Sequence, residues 1–139
     1  MWHTPFGRSV VPEAQSRGLS EGYSDYFAAS ILDDPRFGDY IADKAQGERN
    51  CATAGLRFPP GLSGNRYVTG AVWASILWSI RAAAGAKCAD RLAIESLEFL
   101  HRSSTFEEAR TALNHADQRL FGGRHRDLID REFEARLPL

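Results

Sequence analysis

The chain has 139 residues, 43% of them hydrophobic and 25% charged, the balance of one ordinary globular domain spanning residues 1–139. That length buries a core without disulfides or a structural metal. Seventeen basic and 18 acidic residues leave a net charge of -1, which argues against a nucleic-acid partner, because such partners call for a basic excess. Its most apolar run, Val68 to Ile80, stops at Arg81, short of the roughly 20 apolar residues of a membrane span, so no membrane partner is expected.

In chain order, Met1 to Gly7 is polar and aromatic, with no apolar leader. Leu19 to Leu32 is the first predicted helix. Leu19, Tyr23, Tyr26, Phe27, Ser30 and Ile31 share one side of a 3.6-residue wheel. Glu21 and Asp25 lie a turn apart on the other side, among Gly22, Ala28, Ala29 and Leu32. Small and apolar neighbours on both sides predict a helix buried all round, with two carboxylates inside. Asp33-Asp34-Pro35 ends it, because the residue before proline is pushed out of the helical region. A short helix is predicted from Phe37 to Ala45, then a long turn-rich connection from Gly47 to Asn65.

Val68 to Ala84 gives the strongest helical pattern. Val68, Val72, Trp73, Ile76, Leu77 and Ile80 form a broad apolar stripe with Trp78 on the far side, as expected of a central helix, and Gly85 is its stop. Ala89 to Leu100 follows, with Leu92, Leu97 and Leu100 facing inward. Thr105 and Glu108 make a capping box for a helix to about Leu120, closed by Gly122-Gly123. A last helix, Arg126 to Arg136, turns Leu128, Ile129 and Phe133 inward. No strand is predicted. The fold class is all-α, with about five helices.

Candidates for chemistry are few. His3, His101, His115 and His125 have no ligand spacing among themselves, and His115 and His125 are expected to face solvent near helix ends. Cys51 and Cys88 are either two free thiols or one disulfide. There is no glycine-rich phosphate loop and no nucleophile elbow. Glu21 and Asp25 remain. At i and i+4 they can offer one metal ligand and one acceptor that orients a ligand histidine. They can equally be two acids near a helix N-terminus, where the dipole favours negative charge.

The string Ser20-Glu-Gly-Tyr-Ser-Asp-Tyr-Phe-Ala-Ala29 resembles the third-ligand helix of thermolysin-like and fungalysin-like zinc metallopeptidases. Further along, Arg49-Asn50 and Arg57-Phe58-Pro59 resemble the loop before that family's central helix, and Gly70-Ala-Val-Trp-Ala-Ser-Ile-Leu-Trp78 resembles the helix itself. Ser104-Thr-Phe-Glu-Glu-Ala-Arg-Thr-Ala-Leu113 and Ala116-Asp-Gln-Arg-Leu-Phe-Gly-Gly123 resemble the closing helices, nearer fungalysin and its bacterial relatives than thermolysin. The resemblance runs from about residue 9 onward and implies the helical C-terminal subdomain of such an enzyme. It makes Glu21 the third zinc ligand and Asp25 the support of a ligand histidine.

Two departures accompany it. No His-Glu-x-x-His occurs in the chain, although His3 can be read as the tail of that motif or as part of a loose terminus. Tyr67 stands where the family places the histidine that donates to the oxyanion; a phenol can make that bond, or can simply pack under a loop. The resemblance therefore implies the C-terminal half of a hydrolase that cleaves peptide or protein substrates. Zinc belongs to the complete parent, and is weak or absent in this chain. The origin is a truncated gene, a misplaced start codon or a two-chain enzyme whose N-terminal half carries His-Glu-x-x-His. The alternative is a non-catalytic helical interaction module that kept the peptidase fold. The family is largely secreted, and any signal peptide is expected upstream.

Overall fold

In the computed structural model, which describes residues 10–37 and 49–139, the organising element is a helix from Arg66 to Ala84. Its residues Val72, Trp73, Ala74, Ser75, Ile76, Leu77 and Ile80 are all buried, because other helices cover it on several sides. Asn65 caps it by accepting the Tyr67 amide at 2.7 Å, and Gly85, at φ +98°, ends it. Around it the chain order is α1 (Val10–Leu32), β1 (Arg36–Phe37), β2 (Arg49–Asn50), a 3-10 turn (Pro60–Leu62), α2 (the central helix, Arg66–Ala84), α3 (Ala86–Ser96), a 3-10 turn (Leu97–Phe99), α4 (Phe106–Phe121) and α5 (Arg126–Glu134). The all-α expectation holds for the described residues, apart from one small ladder. The predicted helix Phe37 to Ala45 lies almost wholly outside them.

Helix α1 packs chiefly on α2. The two backbones approach closely because glycines face each other at the crossing. A Cβ added at Gly22 would stand 2.8 Å from the Gly70 carbonyl oxygen, and one at Gly70 would stand 2.8 Å from Glu21 Cβ. This contact fixes where Glu21 and Asp25 lie relative to the start of α2. α1 begins nine residues earlier than its apolar pattern suggests. Its extra turns carry Gln15, which is buried and accepts the Phe106 amide at 2.9 Å, so α1 satisfies an orphan donor at the start of α4.

The core joins α1, α2, α3, α4 and α5 through Tyr23, Tyr26, Trp73, Phe106, Leu92, Leu113, Ile129 and Phe133. Phe58, from the long connection, is only 2% exposed and packs its ring, tilted, 4.5 Å from that of Phe106 and 5.9 Å from that of Phe133. The Phe58 amide donates to the Arg136 carbonyl at 2.7 Å, tying the connection to the end of α5. Tyr26 and Ser30 both donate to Asp90, at 2.6 and 2.7 Å, and lock α1 to α3. The capping box at Thr105 and Glu108 is present in both directions.

Several expectations need correction. Val68, placed on the buried stripe, is 52% exposed, and Ile31 is 84% exposed, since each lies at a helix end beyond the packed crossing. The helix predicted to run to Leu100 stops at Ser96 and tightens into the 3-10 turn, with Leu97 exposed. A strand pair exists where none was expected. Arg36 pairs with Asn50 and Phe37 with Arg49 in an antiparallel ladder, and the Cys51 amide extends it to the Pro35 carbonyl at 2.9 Å.

Candidate functional site

Glu21 and Asp25 project from one side of α1, one turn apart, near the N-terminus of α2. Arg49 is brought to them by the β1–β2 ladder. Its Nη1 donates to Asp25 Oδ1 at 2.8 Å and lies 3.9 Å from Glu21 Oε1. The Asp25 side chain is 12% exposed, while that of Glu21 is 29% exposed. Burial pushes the Asp25 carboxyl above the ordinary carboxylate range; Arg49 pulls it partly back, and Glu21 adds to the rise. Of the two acids, Glu21 is the one left open enough to meet a ligand.

Tyr67, in the first turn of α2, joins this group through cations. Arg49 Cζ lies 5.4 Å from its ring centroid and Arg66 Cζ lies 5.0 Å from it. Arg66 also donates to the Tyr67 hydroxyl at 3.0 Å. The phenol oxygen accepts there, so its own O–H stays free to donate to a bound group. Beside Tyr67 is a cleft of about 270 Å³ bordered by Ala14, Arg17, Gly64, Asn65 and Arg66. Exposed Val68 is apolar, but this cleft is bordered by two arginines.

The sequence by itself assigns no role to Arg49 or Arg66. Arg49 was visible only as part of a loop string, and nothing in its spacing from Asp25 reports a contact made through strand pairing. Arg66 is adjacent to Tyr67 in sequence, which is the one local signal available.

The histidines do not gather at this site. His3 lies outside the described residues. His101 and His115 are exposed, the latter with its ring 5.3 Å from Phe99. His125 departs from the expectation of a solvent-facing ring. Its side chain is 15% exposed and its Nδ1 lies 2.7 Å from Oδ1 of Asp117, which is fully buried. Both cysteines are free thiols, Cys51 buried and Cys88 half-buried. Burial and the nearby Asp25 charge push the Cys51 thiol up to about 12.

The donor set can be tested for a zinc ion directly. A zinc site of this class takes three protein ligands and a water. Among the described residues no group of three His, Cys, Asp or Glu side chains can hold a metal. Glu21 is a single carboxylate facing a guanidinium, so the described residues by themselves do not fit zinc. Among the same residues no helix is long and apolar enough to cross a membrane. No family model matches the chain, and no curated protein or solved structure matches it either.

Proposed function

We propose that this chain is the carboxylate-bearing half of a zinc metallopeptidase catalytic domain, contributing Glu21 as the ligand and Asp25 as its supporting acid. The observation that carries the reading is the pairing of a half-exposed Glu21 with a buried Asp25, held one turn apart at the glycine crossing and next to Tyr67. The two histidines and the general base belong to a His-Glu-x-x-His segment, and no such string stands in the sequence. In a completed domain, Glu21 presents its carboxylate at the open side of α1. Asp25 accepts from a ligand imidazole, sharing its oxygens with Arg49. The Tyr67 hydroxyl, with its oxygen held by Arg66, donates a hydrogen bond to the oxyanion that develops on the peptide carbonyl.

Without the partner segment the chain has no assigned group to take a proton from water, so it hydrolyses no peptide. The second reading is a helical module that kept the fold and serves as an interaction surface. It is favoured by the Arg49–Asp25 bond, which satisfies Asp25 with no histidine present.

The test compares the purified chain with its Glu21→Gln variant for bound zinc, peptidase turnover and stability, and examines the reading frame upstream of Met1. The expected result is no stoichiometric zinc, no turnover, and a stability change within about 0.5 kcal/mol, as for a surface substitution. Stoichiometric zinc lost on Glu21→Gln would mean that a complete site exists in this chain. An upstream frame without His-Glu-x-x-His would remove the peptidase reading and leave the interaction module.

A further inference from the structure

The cleft of about 270 Å³ beside Tyr67 lies between α1 and the start of α2. Ala14 and Arg17 of α1 form one wall, and Gly64, Asn65, Arg66 and Tyr67 form the other. Its charged side chains are both arginines, and no acid lines it. Gly64 has φ +121°, a backbone region that favours glycine, so that stretch of wall carries no side chain. Asn65 Oδ1 already accepts the Tyr67 amide at 2.7 Å. The cleft therefore takes its character from two guanidiniums and a phenol, not from the helix start alone.

Arg66 is held in place without being neutralised. Its Nη2 donates to the Tyr67 hydroxyl at 3.0 Å, and its Cζ lies 5.0 Å from the Tyr67 ring centroid. A guanidinium carries five N–H donors in a planar fork, and the phenol takes one of them. Arg81, Arg110, Arg119 and Arg136 each stand 2.6–3.0 Å from a carboxylate oxygen. Among the described residues Arg66 has a phenol where those four have a carboxylate. The acids across Tyr67 are matched to another cation. Arg49, 5.4 Å from the same ring centroid, holds Asp25 at 2.8 Å and Glu21 at 3.9 Å. Neither acid borders the cleft. Two cations against one phenol leave positive charge that an incoming anion relieves.

Size and chemistry narrow the anion. The guanidinium fork matches the planar, two-oxygen geometry of a carboxylate. At about 270 Å³ the cleft falls below the roughly 300–1,000 Å³ of pockets for drug-sized ligands, so it seats one side chain and not a cofactor. The phenol on its wall keeps its own O–H to donate. In the metallopeptidase reading that O–H addresses a backbone carbonyl of a peptide. The group entering the cleft is then a side chain from a neighbouring residue of the same peptide.

We propose that this cleft is a subsite for an acidic side chain, Asp or Glu, of a bound peptide, held by Arg66 and Arg17. Arg66, fixed on Tyr67, supplies the pre-placed fork, and Arg17 meets the carboxylate from α1. The same phenol that positions Arg66 bears the hydroxyl of the candidate site, so an acidic residue seated in the cleft sets the peptide beside Tyr67. That the ligand is a peptide rests on the metallopeptidase reading. The carboxylate preference rests on the two arginines.

The test uses the full chain without metal. Amide and arginine side-chain NMR resonances are followed at low salt while a tripeptide blocked at both ends is added: Ala-Glu-Ala, Ala-Gln-Ala or Ala-Lys-Ala, with inorganic phosphate as a fourth arm. The Glu peptide should bind roughly fivefold tighter than the Gln peptide, the scale of solvent-exposed carboxylate–guanidinium contacts, and the Lys peptide should bind weakest. Shifts should centre on Ala14, Arg17 and Gly64 to Tyr67, and the Glu preference should fade as salt is raised. Arg66→Gln and Arg17→Gln, both at exposed positions, should each bring the Glu-to-Gln ratio towards one. The proposal is overturned if Glu and Gln peptides bind alike, if the shifts fall outside the cleft, or if folded Arg66→Gln keeps the wild-type ratio. Phosphate that binds there as tightly as the Glu peptide would mean an anion site with no use for a peptide, and overturns it too. Should Arg66→Gln fail to fold, Arg17→Gln and the wild-type ratio decide. Nothing in the assay depends on zinc or turnover. A failed binding assay therefore leaves the metallopeptidase reading standing, and an upstream frame without His-Glu-x-x-His leaves the binding result standing.

Discussion

Gly22→Ala sets two effects of opposite sign against each other at the contact that positions Glu21. In an exposed helix interior, alanine in place of glycine stabilises by about 1 kcal/mol. At Gly22 the added methyl would stand 2.8 Å from the Gly70 carbonyl oxygen and 2.9 Å from both Cβ and Cδ1 of Trp73. Non-bonded carbons settle at roughly 3.5–4.0 Å, so α1 must back away from α2 by something like ~0.5–1 Å. Neither obstacle yields cheaply. One is helix backbone, and the other is the base of a fully buried tryptophan. Overpacking costs about 1–3 kcal/mol, and with both obstacles rigid the upper part of that range, about 2–3 kcal/mol, applies, so after the propensity gain of about 1 kcal/mol Gly22→Ala should destabilise by about 1–2 kcal/mol. For a domain of this size that lowers the melting temperature by roughly 4–8 °C. Urea unfolding followed by tryptophan fluorescence and circular dichroism measures it. Ser24→Ala, on the exposed side of the same helix, is the control and should be neutral or slightly stabilising. A Gly22→Ala chain as stable as the wild type, or more so, would refute the close crossing and with it the placement of Glu21 and Asp25.

The Asp25 carboxyl is raised above its ordinary value of 3.8, mainly by burial. A raised folded-state value makes this group's contribution to stability largest below 3.8 and lost as pH rises through the folded value, so wild type should lose stability relative to Asp25→Asn over that rise. Urea midpoints of both proteins across the acid range measure the difference; a flat difference, or one that grows in favour of wild type, contradicts the burial. Thr105→Ala removes the side chain that accepts the Glu108 amide at 3.1 Å, and should cost about 1 kcal/mol by the same unfolding assay.

Much of the local structure was legible because it rests on local rules. The stop at Asp33-Asp34-Pro35, the end at Gly85, the capping box at Thr105 and the glycine after Phe121 each follow from backbone sterics or from a side chain reaching three residues along its own chain. The inward residues Trp73, Ile76, Ile80, Leu92, Ile129 and Phe133 follow from helical periodicity, since a stripe that must leave water is written in the spacing. The resemblance to metallopeptidases drew on the same strings. It singled out Glu21, Asp25 and Tyr67, and in the structure Arg49 lies against each of the three while Arg66 lies against Tyr67.

Tertiary structure decided what depends on partners distant in sequence. Two paired residues are too short to show a period of two, so the ladder that delivers Arg49 to Asp25 left no pattern to find. Phe58 enters the core from an irregular connection, where periodicity says nothing about direction. Gln15 extends α1 because it caps another helix, a reward invisible to the propensity of its own segment. The cleft beside Tyr67 draws on α1 and on the start of α2, and only their packing brings Arg17 and Arg66 to one opening. Sequence alone determined the central part of each buried stripe and the helix ends marked by a cap, a proline or a glycine, because those depend on solvent and on nearest neighbours. Which polar groups meet was set by the crossing of α1 on α2 and the docking of α3, α4 and α5, because a hydrogen bond between elements forms only once both are packed.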